Sequence, residues 1–317
     1  MTSTYTTHTG TRVTFDVIVD DSLHNLSDDT IEPNNKALLS LVNGFESGKW
    51  RRQQFEHFIW NNIKDTALSQ VEREALIGEE QSVITKSAKN LRLSEGDEKG
   101  GEIGEILLYG IMQKYYSALP VVPKIFYKQN RNDYAKGADS IHITLNKDGS
   151  FSFWLGEAKF YNSLKNGRLD SIVESVYNMF IDDKLRKELN IVTSLKDLDL
   201  LIKDETVLEE IKLKLSDGIS LDDIKQHLHV PILILHECEI TKDNLDSFED
   251  YKIKIAKEHI KKAEVFMKKQ DSKLESIYMY KEIKFHLILF PIPNKSELVE
   301  RFYTKAMFER DESNGCF

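Results

Sequence analysis

The chain has 317 residues, of which 40% are hydrophobic and 30% charged, and a net charge of −9. Such a length allows one large or two ordinary domains with a sizeable core, and no run approaches the roughly 18 apolar residues of a spanning helix. The acidic balance argues against a surface that grips nucleic acid everywhere by counterion release, while leaving room for a local basic cleft.

The opening segment, "MTSTYTTHTGTRVTFDV", has neither a basic n-region nor an apolar h-region. The two cysteines, Cys238 and Cys316, are too few for a disulfide framework or a zinc ribbon. A soluble, cytoplasmic chain without membrane contact is expected. Next, "TRVTFDVIVDDS" alternates apolar and polar residues (Val13, Phe15, Val17, Val19), as a half-buried strand does. The stretch "NKALLSLVNGFESGKWRRQQFEHFIWNNI" has helical spacing, and residues 66–93 continue as charged helix. Gly- and charge-rich "SEGDEKGGE" marks a soft boundary near residue 95. It divides a mainly helical N-terminal region, 1–95, suited to partner contact or to covering a site, from a second domain, 96–317.

Beyond it, "GEIGEILLYGIMQKYYSALP" reads as a buried helix with Ile103, Ile106, Leu107, Gly110 and Ile111 on one stripe, stopped by Pro120 and Pro123. "KIFYKQ" reads as a strand. Strands from Asp139 to Leu145 and from Phe151 to Phe160 are joined by "NKDGS", a hairpin signal. A helix from about Asp170 to Asn190 and a mixed-charge helical stretch, 195–229, follow. "VPILILHEC" and "KFHLILFPIP" are continuous apolar runs, as buried central strands are. A charged helix, Asp246 to Ser276, lies between them, and a last helix runs from Lys295 to Glu309. This order describes an α/β fold: a mixed central sheet flanked by helices on both faces. The two charged helical stretches offer partner surfaces, although a solvated face explains them equally well.

Acid-x-Lys triplets recur at 97, 182, 210, 223, 250, 271 and 282, mostly as solvated surface. The copy in "GEAKF" differs because it ends an apolar strand. Glu157 and Lys159, two residues apart, share a face. A turn centred on residues 148–149 sets Asp139 opposite the neighbourhood of Ala158, within cross-strand reach. Two carboxylates and an ammonium there are costly to bury unpaired. A divalent metal held by Asp139, Glu157 and the Ala158 carbonyl would neutralise them in the oxygen-rich shell that magnesium prefers. Lys159 would then orient or deprotonate a water, or meet a phosphate. A surface Glu–Lys pair is the simpler alternative. Glu102 and Glu105 both lie in the first turns of the buried helix, where the helix dipole alone accounts for a carboxylate. Glu105, set deeper, is the preferred site member and Glu102 the fallback.

A helix carrying Glu, an Asp opening a hairpin, Glu-x-Lys on the next strand and a following helix resemble the core of the PD-(D/E)XK nuclease superfamily. Ala138 stands where that name has proline. More narrowly, "GEIGEILLYGIMQKYY", "KGADSIHI", "FWLGEAKFYNS" and "FHLILFPIPNKSELVERFY" look like the HamA family of Hachiman anti-phage defence effectors, over about residues 70–310. The resemblance implies a restriction-endonuclease-like core and cleavage of DNA with Mg2+ or Mn2+. Asp139, Glu157, Lys159 and Glu105 would be its catalytic residues, and a superfamily 2 helicase, HamB, the partner that restrains it.

Lys165 and Arg168, near the start of the next helix, and Lys136, with Lys128 and Arg131, are candidate phosphate contacts. A polar loop accounts for either group as well. "LHECE" offers His236 and Cys238 without a second ligand pair at zinc spacing, so it reads as a structural strand end. Two other readings stand beside the helicase-controlled nuclease. One is a stand-alone restriction- or repair-type nuclease, the other an inactive nuclease fold used as a DNA-binding or scaffold subunit.

Overall fold

The computed structural model describes residues 13–26, 34–93, 100–128, 137–146, 149–180, 184–194, 196–216, 220–242 and 247–314. Its strands are β1 (Asp16–Ser22), β2 (Lys36–Val42), the two-residue β3 (Phe45–Glu46) and β4 (Lys49–Trp50), β5 (Leu119–Val122), β6 (Ser140–Leu145), β7 (Phe151–Tyr161), β8 (Leu228–Glu237) and β9 (Lys284–Ile292). The helices in the first half are α1 (Leu23–Leu26), α2 (Arg52–Ala67), α3 (Gln70–Ala75), α4 (Glu80–Asn90), α5 (Gly101–Tyr116) and α6 (Lys124–Lys128). Those in the second half are α7 (Asn166–Met179), α8 (Lys184–Ser194), α9 (Lys196–Leu201), α10 (Glu205–Lys214), α11 (Leu221–Lys225), α12 (Glu239–Lys242), α13 (Phe248–Leu274) and α14 (Lys295–Asn314).

Seven strands form one mixed sheet in the order β1-β2-β9-β8-β7-β6-β5. Strands β2, β9, β8 and β7 run parallel, β1 is antiparallel at one edge, and β6 and β5 form an antiparallel meander at the other. Helices cover both faces of the parallel centre, which is why residues 230–235 of β8 and 287–292 of β9 are continuously apolar instead of alternating. On one face Leu155, Ile232, Ile234 and Leu289 pack with Ile172 of α7, Leu189 of α8 and Phe266 of α13. On the other, Ala158, Leu233 and Phe290 pack with Phe58 of α2, Ile106 and Leu107 of α5 and Phe302 of α14. Strand β7 thus sends Leu155 to one core and Ala158 to the other, by its period of two. Among the described residues no helix is long and apolar enough to cross a membrane.

Several expectations shift. "KALLSLV" is strand β2, buried on both faces between β1 and β9, not the start of a helix. Short apolar runs fit either state, and here the sheet supplies the partners that override the helix preference of Ala and Leu. "KIFYK" is helix α6, and the preceding "LPVV" is the strand. Pro120 is tolerated there because β5 is an edge strand, paired only with β6. Helix α5 ends at Tyr116, before both prolines, with Ser117 left-handed at φ 52°. The helix expected from Asp170 to Asn190 is two helices, α7 and α8. The sequence boundary near residue 95 falls in 94–99, outside the described residues. The sheet itself spans that position, since β2 pairs with β9 from Lys36–Phe285 to Ser40–Leu289.

Candidate active site

The β6–β7 hairpin carries the polar cluster. Gly149, at φ 86°, supplies the left-handed residue that the tight turn needs, and Asn146 accepts its N–H. Ser140 lies opposite Gly156 and Leu145 opposite Phe151. The last pair, Ser140 with Gly156, leaves Asp139 beside residues 156–158, the neighbourhood that the sequence indicates. Asp139 N–H donates to the Gly156 carbonyl at 2.8 Å. There the backbone ladder stops, and Asp139 Oδ2 takes over as acceptor for the Ala158 N–H at 3.0 Å. In an antiparallel pair one residue's N–H and C=O face the same neighbour, so the Ala158 carbonyl points to the side that β6 has vacated.

Glu157 is 4% exposed. Its Oε1 accepts from Ser175 Oγ of α7 at 2.6 Å and is ion-paired with Lys159 Nζ. Burial, and next the negative charge of Asp139, push the Glu157 carboxyl up to about 7 from 4.5, against the pull of Lys159 and Ser175. Burial works against the Lys159 ammonium, but Glu157 and Asp139 outweigh it and raise its pKa. Lys159 keeps a 30% exposed side chain, so the cluster opens to solvent on that side. A cavity of about 280 Å3 adjoins Glu157 on the other, lined also by Ser175, Asn178, Lys184 and Glu188.

The structure therefore brings Asp139, Glu157 and Lys159 together. Helix α5, with Glu105, packs on the Ala158 face, whereas Glu157 bonds to α7 on the opposite face. Glu105 is half-buried, and its charge reaches Tyr109 one turn along the helix. Glu102 accepts the Arg92 N–H, which ties the start of α5 to the preceding segment. Among the described residues no three His, Cys, Asp or Glu side chains are grouped closely enough to hold a metal ion.

Lys165 is the N-cap residue of α7, and Arg168 lies on its first turn, the guanidinium 5.2 Å from the Tyr161 ring centre. Both are exposed, a few residues beyond Lys159. Arg131 and Lys136 lie outside the described residues, as does the side chain of Lys128. His236 and Cys238 are buried, and His236 bonds to His259 at 3.1 Å, a structural strand end.

Two contributors went unnoticed in the sequence. Ser175 interrupts the stripe of Ile172, Val176 and Met179 on α7, a faint signal. Glu188 is plainer: it shares the stripe of Leu185, Leu189 and Val192 on α8, where an acid is out of place, and it is 5% exposed. The HamA family model matches residues 16–306, nearly the whole chain. No curated protein matches it.

Proposed function

The chain belongs to the HamA family, which places it in Hachiman anti-phage defence, and on that premise we propose that it is a PD-(D/E)XK metal-dependent DNA nuclease. In this reading it is the effector that a superfamily 2 helicase partner holds in check. The observation that carries the proposal is the Glu157 carboxylate, buried beside Asp139 and bonded to Lys159 where β6 and β7 part.

The donor set suits a hard divalent cation. Two carboxylates of like charge, one pushed up by burial and by the other, are relieved by Mg2+ or Mn2+, and the Ala158 carbonyl faces the same side. Two protein carboxylates are enough for magnesium, which keeps several of its waters. Glu105 on α5 is the remaining acid of the proposed set. When bound, such an ion supplies Lewis-acid activation of water and offsets phosphate charge. The chain's own groups do the rest. Asp139 and Glu157 would hold the ion against which the reacting phosphate is placed, and Ser175 holds the Glu157 carboxylate in its rotamer. Lys159, protonated beside Glu157, orients the attacking water and meets charge developing on the phosphate. Lys165 and Arg168, exposed at the start of α7, serve as contacts to neighbouring phosphates.

The test is cleavage of plasmid and single-stranded DNA by the purified chain with magnesium, manganese or EDTA, alone and with the helicase and ATP. Cutting that requires metal and disappears in Asp139→Ala and Lys159→Ala proteins of unchanged fold supports the reading. Cutting that survives EDTA or either substitution overturns it. Equal activity with and without the helicase favours the stand-alone nuclease.

A further inference from the structure

The hydrogen bonds that fix Asp139 begin at a buried ion pair outside the site. Lys124 Nζ of α6 and Glu188 Oε2 of α8 lie 2.6 Å apart, with side chains 1% and 6% exposed. The other oxygen of Glu188, Oε1, accepts the Ala138 N–H at 3.2 Å. It can do so because residue 137 is glycine: a Cβ there would lie 1.6 Å from Glu188 Oε1. One residue on, Asp139 N–H is held by the Gly156 carbonyl, and the Asp139 carboxylate holds the Ala158 N–H. Successive tethers therefore run from Glu188 to the strand that carries Glu157.

A pair this deeply buried adds little stability, because desolvating both ions offsets most of their attraction. What it supplies is geometry. The packing of Leu185, Leu189 and Val192 fixes where the Glu188 side chain starts. Lys124 and the Ala138 N–H take one oxygen each, so rotation of the carboxylate breaks a bond at one end. Glu188 also lines the cavity next to Glu157, which places this device against the site.

We infer that Glu188, oriented by Lys124, is a positioning residue: it sets the start of β6 so that the Asp139 carboxylate stands beside Glu157. The consequence for catalysis rests on the nuclease reading; the positioning itself does not.

The experiment compares full-length variants by hydrogen exchange at the Ala138 and Ala158 amides, thermal midpoint, Mn2+ binding and steady-state cleavage. Lys124→Met with Glu188→Leu removes both charges together, so no buried ion is left alone, and removes the acceptor for Ala138. Lys124→Met with Glu188→Gln keeps an acceptor oxygen. In the Leu variant both amides exchange at least about tenfold faster at a midpoint near the wild type, and kcat falls about 10- to 100-fold with KM within twofold. The Gln variant recovers most of the protection and of kcat, which a general loss of stability would not allow. Gly137→Ala, an exposed position, displaces the carboxylate independently and speeds exchange in the same way. Wild-type exchange at both amides in the Leu variant overturns the inference, and should that protein not fold, wild-type exchange in Gly137→Ala does so. If the wild type binds no Mn2+ and cuts no DNA while exchange responds as stated, the nuclease reading fails and the positioning role stands.

Discussion

Two buried polar clusters on the same face of the sheet end differently. In one, Ser40 of β2, His259 of α13 and His236 of β8 form a chain, with Oγ to Nδ1 at 2.6 Å and Nε2 to Nε2 at 3.1 Å. His236 Nδ1 meets the Glu237 carbonyl at 3.1 Å. Neutral rings fit one direction of donation: His236 Nδ1–H to the carbonyl, His259 Nε2–H to His236, and the Ser40 hydroxyl to His259 Nδ1. Burial lowers His236 to about 4 and holds His259 well below its ordinary value, so the chain stays neutral and closed. The Asp139, Glu157 and Lys159 cluster cannot neutralise itself this way: two carboxylates stand together, and the buried one is raised. Neutral partners turn a buried polar group into architecture, whereas a like charge leaves it poised to take a cation or a proton.

The largest expected contrast is between the two clusters themselves. Asp139→Ala or Lys159→Ala lowers DNA cleavage by about 10³-fold with an almost unchanged thermal midpoint. His259→Ala does the reverse: it orphans Ser40 and His236 and costs about 3 kcal/mol in denaturant unfolding, with kcat within about twofold of wild type. An inactive but fully stable His259→Ala protein would erase the distinction.

A second contrast lies in pH. In metal-free protein the folded Glu157 carboxyl holds its proton more tightly than the unfolded one, about 7 against 4.5. Its contribution to stability is therefore full below the unfolded value and is lost as pH rises through the folded one. Between those limits wild-type stability should fall relative to Glu157→Gln by about 3 kcal/mol. Parallel curves for the two proteins would mean that Glu157 is not held up.

Smaller effects sharpen the same picture. Ser175→Ala removes a bond that favours the ionised Glu157, so the acid limb of the cleavage profile moves to higher pH and stability drops by about 1 kcal/mol. Lys165→Ala with Arg168→Ala weakens DNA binding and flattens its salt dependence by up to about two phosphate contacts, leaving cleavage at saturating DNA nearly intact. An unchanged salt slope would remove both residues from the DNA path.

The sequence by itself determined the elements whose reason is local. Alternation and a Gly in the turn gave β6 and β7, continuous apolar runs gave β8 and β9, and the period of two put Glu157 and Lys159 on one face. Local pattern could not decide what stands next to what. "KALLSLV" became a strand only because β1 and β9 lie on either side of it. The supports of the site are remoter still. Ser175 reaches Glu157 across 18 residues, Glu188 reaches Ala138 across 50, and Lys124 and Glu188 meet across 64. Periodicity assigns a side chain to a face but not to a partner, and at such separations only the packing of helices α6, α7 and α8 on the sheet brings the partners together.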